Sequence, residues 1–549
     1  MDLRLTGNAV RILRHLWVLP GMGTLLWRVF RRDLGIDHLR DLAIRDLPRP
    51  EAEPRPIQAR IHGWRSSGFR PPSVTGQRST GSGLRAWFAS GGSPLARLEQ
   101  VLAAHADLGN RSPYIHLLEA RARAQAKAAE ARWRTGQTLG PLDGLLVPIK
   151  DHFGVRGEPT WGGTRYLGRE VSTTDAWVVE RLDAAGAVLV ATTHATECGI
   201  NASGVLEHRP GPRNAYAMDR APGGSSTGSG VSVALGWSPS AVGSDGGGSI
   251  RIPASWNGVF GLKPTYQRVS SRGDRWSGTS MGHIGPIGQS TADLAELLAT
   301  ISGVDPTDPL TAYAPDLHQP APWFDALGRG VRGARLGVIR TELEAADPEV
   351  ARLVEGALKA LVSEGAEIVD VDLPLATGAG GIGCLVIGTE VAKLLAGEYA
   401  AHSSEFGDEL AVFLHAMRKV SPEDSQLAYA CRTSLRTQAA SVFQKVDLLV
   451  LPANVRPAPS YGPDEDCKAI LHASASAVAT RFHFLANLTG LPAGTLPLGM
   501  VDGLPVGLQV VGDAWDEASV FAVMAHAERM GLTDAVPRPP KFLAVSPSP

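Results

Sequence analysis

Six short apolar runs set the fold class of this chain: GLLVPI at 144–149, GAVLVATT at 186–193, ARLGVI at 334–339, AEIVDVDL at 366–373, VDLLVLP at 446–452 and LPVGLQVVG at 504–512. Each has the length and the Val, Leu and Ile content of a strand buried on both faces. Segments with helical spacing alternate with them, among them EVARLVEGALKALVSEG and EASVFAVMAHAERM. The stretch from Leu95 to Arg134, LARLEQVLAAHADLG and then YIHLLEARARAQAKAAEARWR, reads as helical throughout. That alternation predicts an α/β protein with a mostly buried central sheet flanked by helices. By length alone, 549 residues suggest three or four domains, and one large α/β unit with an appendage fits equally well. A formal net charge of -2 with 20% charged residues offers nothing to a nucleic acid. The four cysteines, Cys198, Cys384, Cys431 and Cys467, are too scattered for a zinc ribbon and too few for a disulfide scaffold, which favours a reducing, cytoplasmic setting.

The first 80 residues read differently. HLWVLPGMGTLLW, between Arg14 and Arg28, is shorter than a membrane span and holds Pro20 and Gly21 at its middle. No small-residue cleavage site follows it, so a signal peptide is disfavoured. Two readings of residues 14–32 stay open: a helix pair packed on the body, or a peripheral membrane anchor with Trp17, Leu26, Trp27 and Phe30 in lipid beside arginines. Residues from about 47 to 83 are rich in Pro, Gly, Ser and Arg and read as a linker or extended arm. The expected division is an N-terminal extension over 1–80 and a catalytic domain over 81–549.

Several chemical motifs are weaker than they look. Gly224, Ser226 and Gly228 spell the G-x-S-x-G nucleophile elbow, but RNAYAMDRAPGG precedes it where an elbow requires a strand. Gly378, Gly380 and Gly383 spell G-x-G-x-x-G, yet Pro374 intervenes after the strand-like run and no second acid-ending strand follows. GGSSTGSG lacks the G-K-[ST] ending of a phosphate loop, and His194 with Cys198 has no third and fourth metal ligand nearby. What remains is Lys150, which ends the apolar run PLDGLLVPIKD, and two serine-glycine loops, APGGSSTGSG from Ala221 and GSDGGGSIRIP from Gly243. A lysine at a strand end either snorkels to solvent or is held neutral inside. Holding it neutral near pH 7 costs about 4 kcal/mol, which a protein tolerates where the amine serves as a base.

PLDGLLVPIKD, APGGSSTGSG and GSDGGGSIRIPASWNGVFGLKPT, in that order and with Ser225 and Ser249 24 positions apart, resemble the amidase signature family of Ser-Ser-Lys hydrolases. The likeness continues in GHIGPIGQSTADLAELLATISGVDPTDP and LTGLPAGTLPLGMVDGLPVGLQVVGD, so it spans roughly Leu84 to the C-terminus. The resemblance implies the amidase signature fold, a large central mixed β-sheet flanked by helices. It implies Ser249 as nucleophile, Ser225 as a bridging serine after a cis bond from Gly224, and Lys150 as proton acceptor and donor. Gly246, Gly247, Gly248 and Ser249 match the positions whose N–H groups form the oxyanion hole. Ser226, Asp245 and Arg251 match supporting positions, Asp245 and Arg251 as a buried pair.

The chemistry fits these roles. A serine hydroxyl needs a base within hydrogen-bond reach, and a departing amine needs a proton, so a second serine relaying between lysine and nucleophile serves both steps. Four positions depart from the family's usual residues: Gly246 where a larger residue is common, Thr227 for a usual glycine, and Trp256 and Asn257 for Phe with Cys or His. The implied activity is hydrolysis of a carboxylic amide through an acyl-enzyme on Ser249, with no metal or cofactor and with a small-molecule amide as partner. The arginine-flanked N-terminus favours a lipophilic or fatty amide. Two alternatives remain: a non-catalytic amidase-fold binding protein, or a glutaminase-type amidotransferase subunit. The chain also leaves a homodimer open.

Overall fold

The computed structural model describes residues 4–34, 36–41, 57–58, 80–276, 278–317, 321–462 and 465–543. Its strands, in chain order, are β1 (Arg4–Thr6), β2 (Tyr114–Leu117), β3 (Ile149–Lys150), β4 (Ala191–Thr193), β5 (Ser240–Asp245), β6 (Phe260–Lys263) and β7 (His283–Gly288), then β8 (Arg335–Val338), β9 (Glu367–Asp370), β10 (Leu448–Pro452), β11 (Ile470–His472), β12 (Ala493–Val501) and β13 (Leu504–Gly512). Eleven of them form one sheet in the order β2-β4-β3-β5-β7-β6-β12-β13-β10-β8-β9. It is a mixed sheet: β3 runs parallel to β4 and β5, and β8 to β9 and β10, while the central β7, β6, β12 and β13 pair antiparallel.

Both faces of the sheet are covered, and β10 shows how. Leu448 and Val450 enter the apolar cluster on one side, while Leu449 and Leu451 enter the cluster on the other. This is the period-2 alternation of a strand between two helical layers. The hairpin between β12 and β13 turns on Asp502 and Gly503, both at positive φ (51° and 74°), the backbone that a two-residue turn of this hand requires.

The sequence expectation of continuous helix through YIHLLEARARAQ is corrected at its start. Tyr114–Leu117 is an edge strand antiparallel to β4, and the helix begins at Glu119. Its buried seam is Ala122, Ala126 and Ala129, at intervals of three and four residues.

The N-terminal residues pack on the body. β1 pairs with β11, Arg4 opposite His472 and Thr6 opposite Ile470. The helices Asn8–Trp17 and Met22–Asp33 follow. Of the side chains nominated for lipid, Trp17 and Trp27 are only 4% and 8% exposed, and Leu26 and Phe30 pack against the same apolar cluster. The outward apolar side chains are instead Ile12, Val18, Leu19, Leu25 and Val29. Among the described residues, Pro374–Leu394 alone is long and apolar enough to cross a membrane, and most of it is buried inside the fold. The arm expected from about 47 to 83 lies outside the described residues up to 79, apart from 57–58; from Gly81 the chain is helical, capped by Thr80, which accepts from Gly83 N at 3.2 Å.

Candidate active site

β3, β4 and β5 are parallel neighbours, so Lys150, Thr193 and Asp245, the last residue of each, come together at one edge of the sheet. The carboxyl ends of parallel strands are where open α/β sheets form sites. Lys150 is fully buried, and its Nζ donates to Ser225 Oγ at 2.7 Å and to Ser244 Oγ at 2.9 Å. Burial pushes its pKa from 10.5 down to about 7, against the opposing pull of Asp274 and Asp245. The amine is therefore available as a base near neutrality. Ser225 follows a cis peptide bond from Gly224 and opens the turn into the Thr227–Ala234 helix.

The second loop leaves β5 at Asp245. That carboxylate accepts from Gly248 N at 2.7 Å, Ile250 N at 3.1 Å, Arg251 Nε and Nη2 at 3.0 Å each, and Asn487 Nδ2 at 2.9 Å. Burial alone would raise its pKa, but the Arg251 guanidinium and the Asn487 amide outweigh it and hold the carboxyl well below the ordinary carboxylate range. Arg251 also donates to His483 O at 3.1 Å, Gln509 Oε1 at 2.8 Å and Asn487 Oδ1 at 2.6 Å. The loop is thus tied through one ion pair to β13 and to the Phe484–Thr489 helix. Ser226 N donates to Ser249 O at 3.2 Å, so the two serine-glycine loops are joined one residue from Ser225.

Each glycine of the second loop answers to a neighbour. A Cβ at Gly247 would lie 2.6 Å from the Phe484 ring, and one at Gly248, whose φ is +115°, would lie 2.7 Å from the His483 ring. At Gly246 it would lie 2.8 Å from Ile387 Cδ1. The departure at position 246 therefore matches a large side chain brought in from another helix. The Gly248 N–H points at Asp245, whereas the N–H groups of Gly246, Gly247 and Ser249 donate to no group among the described residues. Three donors around Ser249 are thus open to a ligand, and the fourth holds the loop.

Ser249 and Gly246–Gly247 line one cavity of about 400 Å³. Its walls are chiefly apolar, with Ile387, Phe413, Met417 and Phe484 prominent. The weaker motifs fall into structural roles. Ser226 Oγ is fully buried and exchanges hydrogen bonds with the Ser244 backbone at 3.0 and 3.2 Å. Gly380 and Gly383 lie inside the Ala379–Leu394 helix, where Gly383 lets Phe484 approach and Gly380 faces the cavity. His194 is held between Pro113 and Gly228 through its backbone.

Ser244 and Asp274 act on Lys150, and Asn487 and Gln509 hold Arg251, yet the sequence reading singles out none of the four. Ser244 adjoins the recognised loop, so the order GSDGGGS already contains a signal for it. Asn487 and Gln509 lie more than 230 positions from Arg251 and carry no local pattern.

Several known proteins have chains similar to this one. A family model described as Amidase matches residues 98–521. One component of the glutamyl-tRNA(Gln) amidotransferase of Koribacter versatilis is 35% identical over 453 residues, covering 78% of this chain and 92% of that protein. Among solved structures, an amidase shares 32% identity at TM-score 0.71, covering 82% of this chain and 99% of its own. The peptide amidase of Stenotrophomonas maltophilia shares 28% identity at TM-score 0.69, covering 84% and 98% respectively. The chain belongs to the amidase signature family of enzymes that act on carboxylic amides.

Proposed function

We propose that this protein hydrolyses the C–N bond of a neutral amide through an acyl-enzyme on Ser249, and that its substrate carries an apolar body. The observation that carries the reading is the buried, 2.7 Å contact between Lys150 Nζ and Ser225 Oγ beside the cavity that Ser249 lines. Neutral Lys150 takes the proton of Ser225 as Ser225 takes that of Ser249, and Ser249 Oγ bonds to the carbonyl carbon. The N–H groups of Gly246 and Gly247 receive the oxyanion, an interaction whose loss typically costs about 3 kcal/mol of barrier. The proton returns from Lys150 through Ser225 to the departing nitrogen, the C–N bond breaks, and water repeats the sequence on the ester. No hydrogen bond joins the two serine hydroxyls here, and catalytic contacts of this kind commonly tighten when substrate binds.

A glutaminase role draws on the amidotransferase relatives. The cavity argues against it: among its described lining residues Arg481 is the only arginine or lysine, and Glu342 holds it through two 3.0 Å bonds. A free amino acid carboxylate would have to compete with Glu342 for that arginine. A scaffold without catalysis is equally disfavoured, since Lys150, Ser225 and Ser249 are all present. For a lipid surface, the extension offers Ile12, Val18, Leu19, Leu25 and Val29, and weaker vesicle flotation of Leu25→Glu than of wild type tests that contact.

The experiment for the central reading is ammonia release from acetamide, hexanamide, benzamide, oleamide and glutamine by wild type and Ser249→Ala. Release from the apolar amides that vanishes in the variant supports the reading. Release confined to glutamine, or retained in folded Ser249→Ala, overturns it.

A further inference from the structure

The cavity wall includes residues that the family match does not reach. Phe30, Asp33 and Leu34 line the same cavity as Ser249, yet the matched region begins at residue 98. They come from the Met22–Asp33 helix and its C-terminal cap. The strand and the Asn8–Trp17 helix that precede it are fixed against the body from two directions. On one side β1 pairs with β11, whose Leu471 and His472 are themselves cavity residues, and Gly7 N donates to Ala469 O at 2.9 Å. On the other, Arg14 donates to Asp408 Oδ1 at 2.8 Å and to Phe406 O at 3.2 Å, and Arg11 reaches Asp408 Oδ2 at 3.2 Å. Asp408 opens the Asp408–Met417 helix, which carries the cavity residues Glu409, Phe413, Ala416 and Met417. The two N-terminal helices also lock each other: the Trp17 and Phe30 rings meet edge to face at 5.3 Å, and Gly23 allows the Trp17 carbonyl within 2.6 Å of where a Cβ would stand.

We propose that this N-terminal helix pair is a specificity wall of the active site, in which Phe30 and Leu34 contact the apolar body of the amide and select aryl and medium-length alkyl amides over short ones. The inference rests on the amidase reading given above. A cavity of about 400 Å³ stands near the lower end of the range that holds drug-sized ligands. On the wall formed by the Ala379–Leu394 helix, Gly380 leaves room, since a Cβ built on it meets nothing within 4 Å. The pocket can therefore be enlarged at Phe30 or Leu34 and reduced at Gly380.

The test uses the full-length protein. kcat and KM are measured for acetamide, butyramide, hexanamide and benzamide with wild type, Phe30→Ala, Leu34→Ala and Gly380→Val. The expected result is a rise of about 10-fold in the hexanamide-to-acetamide KM ratio for each alanine variant, the range that loss of part of an apolar contact produces. Gly380→Val raises the benzamide-to-acetamide ratio by crowding the pocket from the Ala379–Leu394 helix, so it reads the cavity even where an alanine variant misfolds. Equal loss on every amide, or ratios that stay at the wild-type values, overturns the wall. A second readout does not depend on turnover: calorimetric binding of hexanamide and benzamide to Ser249→Ala, alone and combined with Phe30→Ala. Binding weakened about 10-fold by Phe30→Ala supports the wall even where no amide is hydrolysed, and unchanged binding refutes it. Hydrolysis that persists in Ser249→Ala refutes the amidase mechanism instead, so the two failures are separable.

Discussion

Replacing Lys150 by methionine should make the protein more stable at neutral pH and inactive. The fold holds this amine where its pKa falls from 10.5 to about 7, a displacement equivalent to about 5 kcal/mol against the charged form. At pH 7 the unfolded chain binds the proton nearly fully and the native state only by half, so about 4 kcal/mol of folding free energy is withheld. Because the unfolded state binds more protons, native stability rises with pH between 7 and about 10.5, and by pH 10 the residual penalty is below about 1 kcal/mol. Methionine has a similar shape and no charge, but it gives up the hydrogen bonds to Ser225 and Ser244, together worth about 2 kcal/mol. Lys150→Met is then more stable than wild type by about 2 kcal/mol at pH 7 and less stable by about 1 kcal/mol at pH 10. Urea unfolding at the two pH values, with the slope in denaturant unchanged, measures the crossover. A stability difference that does not vary with pH would refute the claim that the lysine is held neutral.

Three further outcomes follow from the same geometry. With Lys150 as base, kcat/KM falls about 10-fold per pH unit below pH 7, and the limb is read directly from a pH–rate profile. Arg251→Met leaves the Asp245 carboxylate buried with its ion pair broken and costs about 3–5 kcal/mol in a urea titration. Gly246→Ala places its Cβ 2.8 Å from Ile387 Cδ1 and costs about 1–2 kcal/mol; Ile387→Val removes that atom, and the double variant should recover most of the loss in thermal unfolding.

What the sequence makes legible follows from how far each signal reaches. The runs ARLGVI, VDLLVLP and LPVGLQVVG form β8, β10 and β13, because segments this short and dominated by Val, Leu and Ile favour a buried strand over a helix. HIGPIG, by contrast, carries two glycines and a proline and shows no strand pattern, yet it is the fully buried β7. Its Gly285 is required because a Cβ there would stand 2.3 Å from the Leu262 carbonyl, a contact between strands that no local pattern encodes. Tyr114–Leu117 blends in sequence with the helix that follows it, since four residues are too few to display a period against the seventeen helical residues beside them. At the site, Lys150, Ser225 and Ser249 are recognisable because each sits in a short glycine-marked loop or at a strand end. The brace around Arg251 is not, because Asn487 and Gln509 reach it only through the fold. The extension offers lipid or protein as surroundings for Trp17 and Trp27, and only the packing against the Asp408–Met417 helix shows them inward.

In the proposed mechanism Ser249 carries the acyl group. Intact-mass and peptide-mapping spectrometry of wild type quenched during turnover of benzamide and hexanamide tests it most directly. The expected result is an added acyl mass on the peptide bearing Ser249, absent in Ser249→Ala and accumulating when Lys150→Met is given a reactive ester. Acyl mass on Ser225 or Ser226, or steady turnover by folded Ser249→Ala, would contradict it.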